Sequence, residues 1–224
     1  MMMNLFSIFD PSSSELFSFN WVSSILVILF LPLSFWFIPS RWNFGVNILV
    51  FYLSKEFSVL MNKKLNLINL VVFIGLFMMI LLNNFMGLFP YIFTSSSHLV
   101  MSLTSALILW SSFMLFGWIK NSSFMFTHLV PQGTPSVLMP FMVIVETLSN
   151  MIRSGTLSVR LSANMIAGHL LMTLISSTGV NMNLIMLIFM LLAQSLLILL
   201  EISVSMIQAY VFSVLSTLYS TETN

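Results

Sequence analysis

The residues of this chain that could do chemistry are Arg160, His169, Glu146 and Glu201, with the amides Asn164 and Gln208. All six lie in two long apolar stretches near the C-terminus, and their types suit proton handling. Arginine keeps its charge in proteins. At bilayer depth that charge costs about 2.5–3.5 kcal/mol even on the mildest scale, so Arg160 needs an anion. Within one helical turn the sequence offers Thr156, Leu157, Ala163 and Asn164, and no carboxylate. Glu146 lies two heptads earlier on roughly the same face, about 21 Å along a helix axis and too far to pair. Arg153 stands between them. His169 follows nine positions on, roughly on the opposite face. Glu201 and Gln208 are seven apart and share a face of the last stretch. A histidine that titrates near neutrality and a glutamate in apolar surroundings can both hold and release a proton.

Two readings stay open at this point. Arg160 could pair with Glu201 and staple two long helices together. Alternatively, the set lines an ion pathway, the usual role of ionisable groups inside a span. His98 and His128 stand beside loops at the membrane edge and read as solvated or capping residues. Asn83 and Asn84, near the end of another apolar stretch, read as helix-end or interhelical hydrogen bonders. No phosphate loop, zinc spacing or nucleophile–base pair is present, and no facing histidines could hold a haem. No metal or cofactor is expected, and no catalytic site in this chain alone.

Lipid must be the solvent for the elements that position these groups. Charged residues make up 6% of the 224 and hydrophobic ones 58%, against roughly 25% charged in a soluble domain. Seven basic residues are too few for a nucleic-acid surface. The absence of cysteine excludes disulfides and thiol chemistry. The first twenty residues hold Asp10, Pro11 and Glu15, and lack the pattern of a signal or transit peptide.

Residues 1–224 read as one all-α polytopic membrane domain. An N-terminal segment covers 1–20, and spans are predicted at 21–38, 67–89 and 99–119. Two runs of roughly 40 residues, 136–177 and 180–218, are too long for a 30 Å hydrocarbon core as upright helices. They predict a steeply tilted antiparallel hairpin, with Gly155 and Gly168 as candidate bends. Residues 42–65 mix apolar side chains with Lys55, Glu56, Lys63 and Lys64, which predicts an interfacial amphipathic helix. These lysines, Arg41 and Lys120 place that helix inside and the N-terminus outside. With about five crossings, the C-terminus is inside.

The stretch Leu157-Ser-Val-Arg-Leu-Ser-Ala-Asn-Met-Ile-Ala-Gly-His-Leu-Leu171 resembles the signature of subunit a of F-type ATP synthases, and Ile207-Gln-Ala-Tyr-Val-Phe-Ser-Val-Leu215 continues the match. Asn83-Asn-Phe-Met-Gly-Leu-Phe-Pro-Tyr91 and His128-Leu-Val-Pro-Gln-Gly-Thr-Pro135 are similar to the mitochondrial, arthropod-like form. The resemblance implies a stator subunit of the mitochondrial inner membrane, with its N-terminus in the intermembrane space and its C-terminus in the matrix. It implies as partners a ring of c subunits carrying mid-membrane carboxylates, peripheral-stalk and other membrane subunits, and the lipid bilayer. Arg160 matches the family's essential arginine, and Asn164 and Gln208 match its polar neighbours. His169 and Glu201 match a pair on the outer proton half-channel, exchanged in position relative to bacterial members. Glu146 matches an acid on the inner half-channel. Ser154 departs from the proline of many relatives, which leaves the position of any bend open.

Overall fold

A computed structural model describes residues 5–13, 17–32, 35–61, 69–89, 91–130, 135, 138–179 and 183–222. Glu15, Lys63, Lys64 and residues 131–134 of the His128–Pro135 stretch lie outside these residues. Among the described residues the chain is helical without strands, as an all-α membrane protein must be when lipid cannot satisfy backbone groups. Four helices are long and apolar enough to cross a membrane: α3 (Leu70–Gly87), α4 (Leu99–Lys120), α6 (Met139–Thr178) and α7, of which Leu184–Thr221 qualifies. Before α3 come a 3-10 turn at Leu5–Phe9, the short α1 (Val22–Leu26) and the long α2 (Arg41–Leu60); α5 (Ser122–His128) follows α4.

Within the predicted first span, 21–38, the helical part is Phe19–Phe30, a short apolar stretch that alternates 3-10 and α geometry. Leu31 turns extended, at φ −71° and ψ 119°. Pro32 follows it, and a proline pushes the preceding residue out of helical geometry. The sequence reading carried the span through Pro32 and stopped it only at Pro39. The apolar side chains beyond, Phe35 to Ile38, stand largely exposed.

After Pro39 the chain re-enters a helix with a conventional start. Ser40 is extended and its hydroxyl accepts a hydrogen bond from the Asn43 amide at 3.3 Å. Along α2, Leu53 and Phe57 are buried one turn apart, while Lys55 and Glu56 are exposed and Lys55 lies over the Phe51 ring. This two-faced helix packs on α3 and α7. The Tyr210 hydroxyl of α7 donates to Glu56 of α2 at 3.2 Å.

In the bundle, α3 packs along α7, α4 along α6, and α6 along α7. The buried apolar set is Phe73, Phe77, Met78 and Ile80 of α3, Leu157 and Leu161 of α6, and Ala209 and Phe212 of α7, joined by Leu53, Phe57, Met61 and Ala106. Between them lie small hydroxyl residues, Ser154, Ser158 and Ser162 on α6 and Ser205, Ser213 and Ser216 on α7. Lipid-phase helices gain nothing by hiding hydrocarbon from hydrocarbon, so small residues that let backbones approach are favoured there. Each hydroxyl returns its hydrogen to a carbonyl of its own helix, as Ser158 does to Gly155 at 2.8 Å and Ser216 to Ser213 at 2.7 Å. The close faces therefore carry little unpaired polarity.

α6 is continuous through Gly155, Gly168 and Ser154, so neither glycine interrupts it. Gly168 instead admits a neighbour, since a Cβ built there would lie 2.6 Å from Glu201 Oε1. A Cβ on Gly179 would similarly meet the Met190 sulfur at 2.7 Å. From 168 to 179 the chain advances by the same number of residues as it retreats from 201 to 190. That is the register of an antiparallel hairpin. Followed inward from Gly168, the same register sets Arg160 level with Ala209 and its neighbour Gln208.

Candidate functional site

The two sides of α6 are unlike. Ser154, Leu157, Ser158, Leu161, Ser162 and Met165 are buried, in the helical spacing that faces the bundle. Val159, Arg160, Ala163, Asn164, Ala167 and Leu171 are exposed. Arg160 and Asn164 thus stand one turn apart on a bare strip floored by two alanines. Among the described residues no ion pair is found for Arg160. Gln208 is half-buried at the same level on α7. Glu146, also half-buried, lies fourteen residues back on α6, level with the C-terminal end of α7.

Glu201 is nearly buried, at 8% exposure, and seated against Gly168. Both of its carboxyl oxygens are buried with no hydrogen-bond partner. It does not pair with Arg160. The staple reading therefore lacks its bond, and the arginine and the glutamate are separate features. His169 follows Gly168, and its Nε2 is also buried and unpartnered. The ring of Phe9 meets its imidazole edge-on at 6.5 Å.

Two residues that sequence reasoning did not place in the site share this property. Asn84 of α3 is 0% exposed, and neither its amide nitrogen nor its oxygen has a partner. Ser96, in the 3-10 turn Ser95–Ser97 before α4, has a buried, unpaired hydroxyl. The expectation that Asn84 bonds between helices is not met. Among the described residues every such orphaned buried atom belongs to Asn84, Ser96, His169 or Glu201. The elements carrying them pack on one another, because the Ser95–Ser97 turn touches both α3 and α6, and α7 touches α3 and α6. Leaving one buried polar group unpaired costs about 1–3 kcal/mol, so each of these four residues stands out from the well-paired hydroxyls of the bundle. The available signal was the pair of amides near the end of an apolar helix, followed by the hydroxyl run Thr94–Ser97.

His98 is not a solvated residue. It caps α4 by position, but its ring lies 5.2 Å from those of Trp21 and Phe93. His128 is exposed at the end of α5.

Residues 2–221 match the family described as ATP synthase A chain. The chain is 57% identical over 224 residues, the full length of both proteins, to the ATP synthase subunit a of Drosophila melanogaster. It is 56% identical over 223 residues, 99% of both chains, to that of Locusta migratoria, and 55% identical over 226 residues to that of Anopheles quadrimaculatus, with both chains covered in full. The chain belongs to the ATP synthase A chain family. It is a multi-pass membrane member of that family. Within its fold the fit of Glu201 against Gly168 can be tested by itself. Gly168→Ala is expected to destabilise the hairpin by about 1–3 kcal/mol through overpacking. Thermal unfolding of the membrane-embedded chain would read the loss, and Glu201→Ala in the same chain should relieve most of it. Absence of any loss would mean the carboxyl side chain swings aside freely.

Proposed function

We propose that this chain is the proton-translocating stator subunit of the membrane sector of an F-type ATP synthase, working beside a rotating ring of c subunits in the mitochondrial inner membrane. The observation that carries the reading is the exposed strip of α6 on which Arg160 stands without an ion pair. A fixed cation at bilayer depth calls for an anion, and none is offered within the described chain. A ring carboxylate would supply it in passing.

The remaining residues fit two half-channels on either side of that strip. Glu201 and His169, with Asn84 and Ser96 nearby, would form the outer one. Glu201 and His169 can hold and release a proton, the Ser96 hydroxyl can pass one on, and the Asn84 amide can orient its neighbours by hydrogen bonding. Glu146, toward the other end of α6, would belong to the inner one. Asn164 and Gln208 would hold the guanidinium in line. A fixed cation favours the charged form of a carboxyl brought beside it, so an arriving protonated ring acid gives up its proton. Arg160 cannot take that proton, so its position also blocks a direct leak between the half-channels. Each crossing is worth about 2.3 kcal/mol per 100 mV, delivered as rotation to the catalytic subunits. The lysines of α2 and α4 support an inner, matrix placement for the C-terminus and an outer one for the N-terminus.

Cross-linking tests the ring contact. The chain has no cysteine of its own, so Val159→Cys, Ala163→Cys and Ala167→Cys can be read without background from this subunit. At least one is expected to form a disulfide with a cysteine beside the ring carboxylate. Failure at all three positions would show that the strip faces something else.

A further inference from the structure

The N-terminal segment reaches α6, where the ring of Phe9 meets that of His169. We infer that Phe9, held by His98, is a positioning residue for His169 and screens the His169–Glu201 pair from the outer aqueous surface. The inference rests on the reading of these two residues as the outer proton route.

Its support is geometric. A five-residue 3-10 turn has little stability alone, so contacts must hold Leu5–Phe9 where it lies against α6. The Phe9 ring presents edge-on to the imidazole of His169, whose Nε2 is buried. The Phe9 carbonyl lies 2.8 Å from His98 Nε2. A carbonyl can only accept, so His98 carries its proton on Nε2 and donates. The His98 ring is itself fixed between Trp21 and Phe93. Beyond Phe9 the segment closes on itself. Ser12 donates its amide to Asp10 Oδ1 at 3.1 Å, Asn20 donates to the Asp10 carbonyl at 3.3 Å, and the Ser13 hydroxyl donates to the Phe17 carbonyl at 2.9 Å. The exposed Asp10 carboxyl is held below the ordinary carboxylate range by the Ser12 hydrogen bonds, with a smaller attraction from His98. A flat ring clamped from behind over an unpaired imidazole orients that imidazole and keeps bulk water off it.

The test uses the assembled complex with His169→Cys and follows labelling by a membrane-impermeant maleimide added from the outer side. Phe9→Ala, which removes the ring and keeps the backbone carbonyl, should speed labelling several-fold. His98→Leu should do the same. His98→Asn, which keeps a donor, should stay near the parent rate, a rescue that a purely structural role for the ring would not give. If Phe9→Ala lowers the amount of complex, Phe9→Leu, which also lacks the flat edge, replaces it. Equal labelling with and without the Phe9 ring overturns the inference, as does equal acceleration by His98→Asn and His98→Leu. Labelling reports the cover alone. Proton-driven synthesis in a His169→Ala chain with Phe9 intact reports separately whether His169 carries protons, so the two ideas fail by different measurements.

Discussion

Arg160→Ala should abolish proton-driven ATP synthesis in a complex that still assembles. The side chain is exposed and, among the described residues, makes no ion pair. Removing it therefore takes no packing from the bundle, and such surface changes usually stay within about 0.5 kcal/mol. Under the proposed role the functional cost would be of another order, because the fixed charge that would discharge each ring acid and separate the half-channels is gone. Arg160→Lys should restore little, since a desolvated lysine can lose its proton where arginine cannot. The measurement is synthesis driven by an imposed gradient, with the amount of complex in the membrane as the control. Ordinary rates in the alanine chain would end the proposal.

Glu201→Gln is expected to lower proton-driven synthesis by at least about a hundredfold, the low end of what a positioned proton-transfer group contributes. Glutamine has nearly the same shape, so the seat against Gly168 survives. What disappears is the ability to take and release a proton. If Glu201 only filled space, the amide would serve as well and the rate would hold. The double change with Arg160→Gln separates a third possibility. Were the two residues a structural ion pair, neutralising both should bring function back. No recovery is expected, because the carboxyl oxygens of Glu201 are buried without partners and Arg160 lies on the bare side of α6.

Much of the architecture was legible in the sequence because lipid imposes simple rules. Length and apolarity announce α3, α4, α6 and α7, and the mixed composition after Arg41 announces α2. The break at Leu31 inside the first predicted span is a feature that counting apolar residues misses. Pro32 acts on one backbone torsion, and no hydropathy average registers it. The polar cluster was legible only in part. Arg160, His169 and Glu201 are conspicuous as ionisable groups in apolar runs. Asn84 and Ser96 are ordinary residue types whose importance lies in lacking partners, and that emerges only once three elements are packed together. The fixing of Phe9 by His98 joins positions far apart in the chain through a backbone carbonyl, which no side-chain pattern encodes. Gly168 stands out in the sequence as a candidate bend, and the fold also uses its missing side chain as room for Glu201.

The antiparallel register of α6 and α7 ties two adjustments together. Glu201 and Gln208 ride on one rigid helix, so a single extra residue in α7 between Met190 and Glu201 would shift both by about 1.5 Å and swing both through roughly 100°. The carboxyl would leave its notch at Gly168 in the same step that the amide left the level of Arg160. Neither can be tuned by sliding the helix without detuning the other. Length changes can be absorbed between the two helices, beyond the contact of Gly179 with Met190, where they alter neither alignment. The hairpin works as a gauge block, fixing the distance between two stations.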